Sequence, residues 1–210
     1  MRSCYFIGFF FVVFTLSDQQ HSLSADNYIS RAPGRLYHKK GKSDQYDMFS
    51  GGCVFIDHAS GYLSIKHKVA INTTETVKAK LNFGREAQSQ GVVIKGYHTD
   101  NGIFNYSDFM EELLKKHQKI RFSGAGDSHQ NGTADRAIKT VATMERNMLM
   151  HSALRFTEDT LSTDLWPMEM YYAVWVYNRT PDIKYGLSDI EIWSRSRLEP
   201  VSETLSNFHV

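Results

Sequence analysis

Short apolar runs and alternating stretches divide the chain into strand and helix signals in a clear order. Cys53-Val54-Phe55-Ile56 is a four-residue apolar run of the kind buried on both faces, set off by Gly51-Gly52. After the Ser60-Gly61 turn, Leu63, Ile65, His67, Val69 and Ile71 alternate with Ser64, Lys66, Lys68 and Ala70, the period of a half-buried strand. The two segments read as a hairpin. Asn72 followed three residues later by Glu75 marks a helix start, with Val77, Leu81 and Ala87 as a weak apolar stripe and Gly91 as its stop. Val92-Val93-Ile94 opens another strand running to Tyr97 and ending near Asp100.

Ser107 reads as the N-cap of a second helix, with Asp108, Glu111 and Glu112 early and Lys115 and Lys116 late, as the helix dipole favours. Lys119 to Ser123 reads as a short strand. A polar loop, Gly124 to Gly132, leads into a long helix from about Thr133 to Ala153. There Ala134, Ile138, Val141, Glu145, Met148 and Leu149 share one side, and Asp135, Lys139, Thr143 and Arg146 the adjoining one. A last helix, Leu165 to Tyr177, is apolar almost all round, which predicts burial in the core or against a partner. The order predicts a mixed sheet flanked by helices, an α/β domain.

The first sixteen residues stand apart. Arg2 precedes a 13-residue apolar run, Cys4 to Leu16, shorter than the ~20 residues that span a bilayer as a helix. Small residues near Ser22, Ser24 and Ala25 complete a pattern like a secretory leader. The whole chain has 210 residues, 41% hydrophobic and 22% charged, which suits one globular domain and excludes wholesale disorder. Its formal net charge of +1 means that any nucleic-acid binding must use local basic patches. Two cysteines, Cys4 and Cys53, exclude a disulfide framework and a Cys-based zinc finger.

Candidate chemistry is carried by carboxylates. Asp100 lies at the carboxyl end of a strand, the edge at which open α/β sheets bind ligands. Asp135 follows 35 positions later at the start of the long helix. Acids from a strand end and a helix start suit Mg²⁺, a hard cation that takes oxygen ligands, although either acid alone fits a structural role.

Six segments turn this into a resemblance. His98-Thr99-Asp100-Asn101-Gly102 and Ser128 to Arg136 resemble two signature stretches of the integrase catalytic core of retroviruses and copia-type retrotransposons. Phe55 to Tyr62 resembles the second-strand segment of that domain, and Asp26 to Leu36 the first-strand segment of copia-type integrases. Leu165-Trp166-Pro167 and Ile190 to Trp193 are similar to its later parts. Together they cover roughly residues 24 to 197, in the family's order. The resemblance implies a ribonuclease H-like fold with a mixed five-stranded sheet flanked by helices, and an Asp-Asp-Glu metal site.

Carried over by motif, the catalytic and metal-binding acids are Asp26, Asp100 and Asp135. Asp57 is read as a structural residue of the second strand, and Asp26 is expected to follow a short strand from about Ser22. Asp135 departs from the family's Glu and is one methylene shorter, although some related transposases use a third Asp. The implied cofactor is Mg²⁺ or Mn²⁺, as two ions, serving metal-dependent 3′-end processing and strand transfer by a polynucleotidyl transferase. The implied partners are DNA, both element ends and target, and a second copy of the chain in a homodimer. No small-molecule substrate is expected, and no membrane beyond the leader.

Arg31, Arg35, Lys39, Lys40 and Lys42 form an acid-free basic stretch, read against DNA phosphates or as a solvated loop. Arg136 and Lys139 beside Asp135, and Asn131 in the preceding loop, complete the expected DNA-binding set. His98 and His117 lack a ligand partner at metal spacing and read as structural. No His-His-Cys-Cys zinc module is present, and little chain follows Ser196. The expected organisation is an apolar leader (1–20), signal-peptide-like or a fused extension that stays attached, a catalytic core (22–197) and a tail (198–210), within a polyprotein fragment or a decayed copy. The expected location is the nucleus or a cytoplasmic element particle, or the secretory route if the leader is used. Two rival readings stand beside the enzyme: an inactive nucleic-acid-binding relic, and a secreted protein.

Overall fold

A computed structural model of the chain describes residues 21–37, 48–124, 132–155, 162–183 and 186–197. The leader, Lys39, Lys40, Lys42, Asn131 and the tail lie outside the described residues. Among the described residues, five strands and five α-helices follow in order: β1 (His21–Gly34), β2 (Phe49–Asp57), β3 (Leu63–Lys68), α1 (Thr73–Ser89), β4 (Ile94–Thr99), α2 (Ser107–Lys115), β5 (Lys119–Phe122), α3 (Gly132–Arg155), α4 (Trp166–Arg179) and α5 (Asp189–Ser194). Short 3₁₀ turns at Ile103–Asn105 and Thr163–Leu165 precede α2 and α4. The strands lie in the order β3-β2-β1-β4-β5. β1, β2 and β3 are mutually antiparallel, while β4 runs parallel to β1 and β5 parallel to β4. The expected mixed five-stranded sheet flanked by helices is the observed one.

Helices cover both faces of this sheet, and β2 shows the consequence. Cys53 and Phe55 point into a core with Phe83 of α1, Phe109 and Leu113 of α2 and Trp193 of α5. Val54 and Ile56 point the opposite way, into a core with Ala134, Ala137 and Val141 of α3 and Trp166, Met170 and Val174 of α4. The continuous apolar run of β2 is therefore buried on both sides, as its pattern predicts.

Several boundaries differ from the sequence reading. Gly51 and Gly52 lie inside β2 instead of marking its edge. A Cβ on Gly51 would stand 2.1 Å from the Tyr28 carbonyl oxygen of β1, so glycine here permits close backbone approach. β3 stops at Lys68, before Val69 and Ile71, and is not half-buried: α1 also closes over its second face. Ser64 and Lys68 are buried there, and the Lys68 ammonium donates to Asn27 Oδ1 at 2.5 Å and Thr76 Oγ1 at 2.9 Å. Asn72 caps α1 as expected, its Oδ1 accepting the Glu75 N–H at 2.9 Å. Ser107 does not cap α2; extended Tyr106 precedes the helix, and Ser107 Oγ donates to Asp108 instead.

α4 resolves the question raised by its all-round apolar sequence. Trp166, Met170, Ala173 and Val174 are buried, whereas Tyr171, Tyr172 and Trp175 are about half exposed on the opposite side. Tyr172 stacks on Trp175, and the Arg179 guanidinium lies 4.3 Å from the Trp175 ring. Among the described residues, no helix is long and apolar enough to cross a membrane.

Candidate active site

β1 is longer than expected. Asp26 sits within it, not at its end, because pairing with β2 carries the strand on to Gly34. The ladder with β4 nevertheless stops at Ala25 opposite Thr99. Asp26 and Asp100 are thus the next residues on two adjacent parallel strands, level with each other where that ladder ends. Neighbouring strands lie about 4.8 Å apart, which sets the scale of their separation.

Asp26 also stands opposite Val54 across the antiparallel ladder, on the face packed by α3 and α4. Its Oδ1 accepts the Asn27 N–H at 2.7 Å. Beyond Asp100 the chain turns tightly back: a Cβ on Gly102 would come within 2.9 Å of Asp100 Oδ2. Both acids act on buried Cys53, whose thiol is pushed up to about 12 by burial first, eased by Lys68, with Asp26 and Asp100 adding to the rise.

Asp135 lies in the first turn of α3, half-buried beside Ala134, which is fully buried in the second core. Asp135 is therefore on the helix covering the Asp26 face. Among the described residues, however, no three His, Cys, Asp or Glu side chains form a group able to hold a metal ion. The fit to a hard cation accordingly rests on the level pair Asp26 and Asp100, whose all-oxygen donors are of the right kind. Asp135 approaches from the helix without joining them in one cluster.

Asp57 has a different setting. It pairs with Leu23, three residues before Asp26 on β1. Its buried Oδ2 accepts the Ser60 N–H at 2.9 Å and the Ser60 hydroxyl at 2.8 Å, and meets His21 Nδ1 at 3.2 Å. This carboxylate closes the β2–β3 turn.

The basic residues separate into two groups. Arg136 and Lys139 are exposed on α3, with Lys139 one turn beyond Asp135 on the same face. Arg35 is committed to the fold: its Nε donates to Asp164 Oδ2 at 3.0 Å and its backbone N–H to the Asp164 carbonyl at 2.7 Å. That clamp fastens the end of β1 to the start of α4, where Trp166 Nε1 also donates to the Ala32 carbonyl at 2.9 Å.

One neighbouring group escaped the sequence reading. Ser24, two residues before Asp26 and on the same face, meets His58 Nε2 at 2.8 Å and is level with His98 of β4. His98 is lowered from the ordinary imidazole range by burial, with His58 and Arg121 repelling its charged form. The motif around Asp100 contains His98, but only the β1–β4 register brings it to Ser24. His117 is exposed, with a positive φ of 52°, in the turn between α2 and β5.

Solved structures of similar shape include an integrase catalytic core domain and an intasome. The HTLV-2 integrase catalytic core domain in complex with magnesium, in its trimeric form, superposes with a TM-score of 0.58 at 19% identity, over 82% of this chain and 95% of that one. Its dimeric form gives 0.56 at 19% identity, over 83% and 94%. A simian T-cell lymphotropic virus intasome, in complex with the PP2A regulatory subunit B56 gamma, gives 0.64 at 16% identity. That last match covers 86% of this chain and 56% of the neighbour. No protein-family model and no curated protein matches the sequence. The fold is the ribonuclease H-like fold of the retroviral integrase catalytic core.

Proposed function

We propose that the chain is an integrase catalytic core of copia-retrotransposon type, which cuts and joins DNA at the edge of the sheet formed by β1 and β4. The observation that carries this reading is the level pairing of Asp26 and Asp100 at the end of the β1–β4 ladder, in a fold shared with integrase cores. Two adjacent carboxylates with Asp135 on the covering helix supply an oxygen-donor set for Mg²⁺. When bound, Mg²⁺ supplies Lewis-acid activation of the attacking oxygen and neutralises charge on the leaving one. Asp26 and Asp100 would hold that ion from two hydrogen-bonded strands, with Asp135, in the first turn of the covering helix, as the expected third ligand. Lys139 and Arg136, exposed beside Asp135, are positioned to hold the DNA phosphates. The half-exposed Tyr171, Tyr172 and Trp175 of α4 offer the contact surface for a homodimer.

The second reading is an inactive DNA-binding relic. It is favoured by Asp135 standing where the resembling family has Glu, and by the absence of a three-residue metal cluster among the described residues. Cleavage assays with supercoiled plasmid and a short element-end duplex separate the two. An active core nicks or joins DNA only with Mg²⁺ or Mn²⁺, and loses this in Asp100→Asn while remaining folded. A core decayed by one methylene is silent as wild type and gains activity in Asp135→Glu. DNA binding without cleavage by either protein establishes the relic.

A further inference from the structure

A cleft lies away from the acids, between α1, the start of β4 and the end of α2. It has a volume of about 670 Å³, within the range of small-molecule sites. α1 contributes one wall through Lys80, Leu81, Gly84, Arg85 and Gln88, a spacing that keeps them on one helical face. Val92, Ile94 and Tyr97 form an apolar floor, and Lys116 and Gln118 the far wall. Three cations and no carboxylate line this space.

Four further observations give the cleft the character of a binding site. Gly84 lies in mid-helix, where glycine costs roughly 0.5–1 kcal/mol relative to alanine. A Cβ there would meet no atom within 4 Å, so neither packing nor a positive φ requires the glycine; its effect is to leave the cleft open. Lys80 is only 3% exposed, and its ammonium donates to the Glu112 carbonyl at 3.2 Å over the rings of Tyr97 and Phe109. The Glu112 carboxylate is paired at 2.8 Å with Lys115, leaving Lys80 without a direct carboxylate partner among the described residues. Gln118 donates through Nε2 to the Ile94 carbonyl at 3.2 Å, while its Oε1 is buried and meets no donor among the described residues.

We propose that this cleft binds an organic phosphate of nucleotide size, with the phosphate at Lys80 and Lys116, a flat body over Val92 and Ile94, and a donor group toward Gln118 Oε1. Burial lowers the Lys80 ammonium to about 8, partly offset by the nearby Glu112 carboxylate and reinforced by repulsion from Lys116, and an anion in the cleft counters the net loss. Lysine suits phosphate as a point charge, and the apolar floor distinguishes a base-bearing phosphate from the inorganic ion. The bound species is a ligand and not the substrate of the DNA reaction, so the site stands whether or not the core is active.

The test titrates the full chain with AMP, adenosine, inorganic phosphate and a short single-stranded DNA, followed by calorimetry and amide NMR shifts. AMP is expected to saturate with shifts at Lys80, Gly84 and Lys116, while adenosine and inorganic phosphate each bind at least about tenfold more weakly, a difference of 1.4 kcal/mol or more. Gly84→Trp, which fills the cleft from an open position, and Lys80→Met are each expected to weaken AMP at least about tenfold. The Lys80 titration, read by NMR, should move upward when AMP is present. Failure of AMP to saturate at millimolar concentration would overturn the proposal, as would unchanged AMP binding in folded Gly84→Trp. Equal binding of inorganic phosphate, or shifts at this cleft with the DNA alone, would overturn it as well.

Discussion

The level placement of Asp26 and Asp100 makes a quantitative demand on the metal-free protein. Two carboxylates about 5 Å apart repel by roughly 0.8 kcal/mol in a water-like dielectric and roughly 3 kcal/mol at the effective value of 20 used near protein surfaces. Asp100 is exposed and Asp26 half-buried, which places the pair near the weaker limit. Asp100→Asn keeps the shape of the side chain and removes one charge. In EDTA the variant should therefore be more stable than wild type by about 1 kcal/mol, a gain that shrinks in 1 M salt, where the screening length falls to about 3 Å. With Mg²⁺ the order reverses: a ligand at a hundredfold excess over its Kd stabilises by about 2.7 kcal/mol, and the variant has lost half of the level pair. Urea unfolding at pH 7, with EDTA or with Mg²⁺, reads both effects as midpoint shifts. An Asp100→Asn protein no more stable than wild type in EDTA, with the same response to Mg²⁺, would refute the paired-carboxylate site.

Asp57→Ala should destabilise by about 1–3 kcal/mol, because it strands the Ser60 N–H and hydroxyl, yet leave the Mg²⁺ response untouched; chemical unfolding with and without Mg²⁺ tests both parts. Trp193→Ala removes a fully buried ring stacked on Tyr62 at 4.8 Å and bonded through Nε1 to Gln90. The expected loss is about 3–5 kcal/mol, read as a fall in Tm. His67 is held neutral: burial first, partly offset by its bond to the Pro167 carbonyl, lowers it from 6.5 to about 4. A depressed folded value for a base means that its neutral form is favoured in the fold, so stability is retained above about pH 6.5 and lost progressively toward pH 4, by about 3 kcal/mol in all. Asp189 acts oppositely, raised from 3.8 to about 6 by burial and by Asp182, and contributes stability as pH falls through the same window. Urea midpoints between pH 4 and 7 for wild type, His67→Gln and Asp189→Asn should show the His67 variant losing less stability on acidification, and the Asp189 variant losing more.

Most elements and their order were legible in the sequence because they arise from local chemistry, whereas the central strand β1 was reached only through the resemblance and the short helix α5 was not read at all. The two-sided apolar run of β2, the Asn72 cap of α1 and the apolar side of α3 each follow from residues within a few positions of one another. The six motif segments, read in order, also pointed to the ribonuclease H-like class, which the sheet order and the similar structures bear out. What surrounds each element was not written locally. β3 shows period two, yet Ser64 and Lys68 are buried because α1 packs across it from a different part of the chain. Arg35 reads as a free basic residue until Asp164, 129 positions away, closes on it. The cleft beside Gly84 exists only where α1, β4 and α2 meet. Likewise, motif resemblance singled out Asp26 and Asp100 as candidate acids, but only the parallel register of β1 and β4 makes them neighbours, and hydrogen bonds between strands 74 residues apart in sequence are a property of the tertiary fold alone.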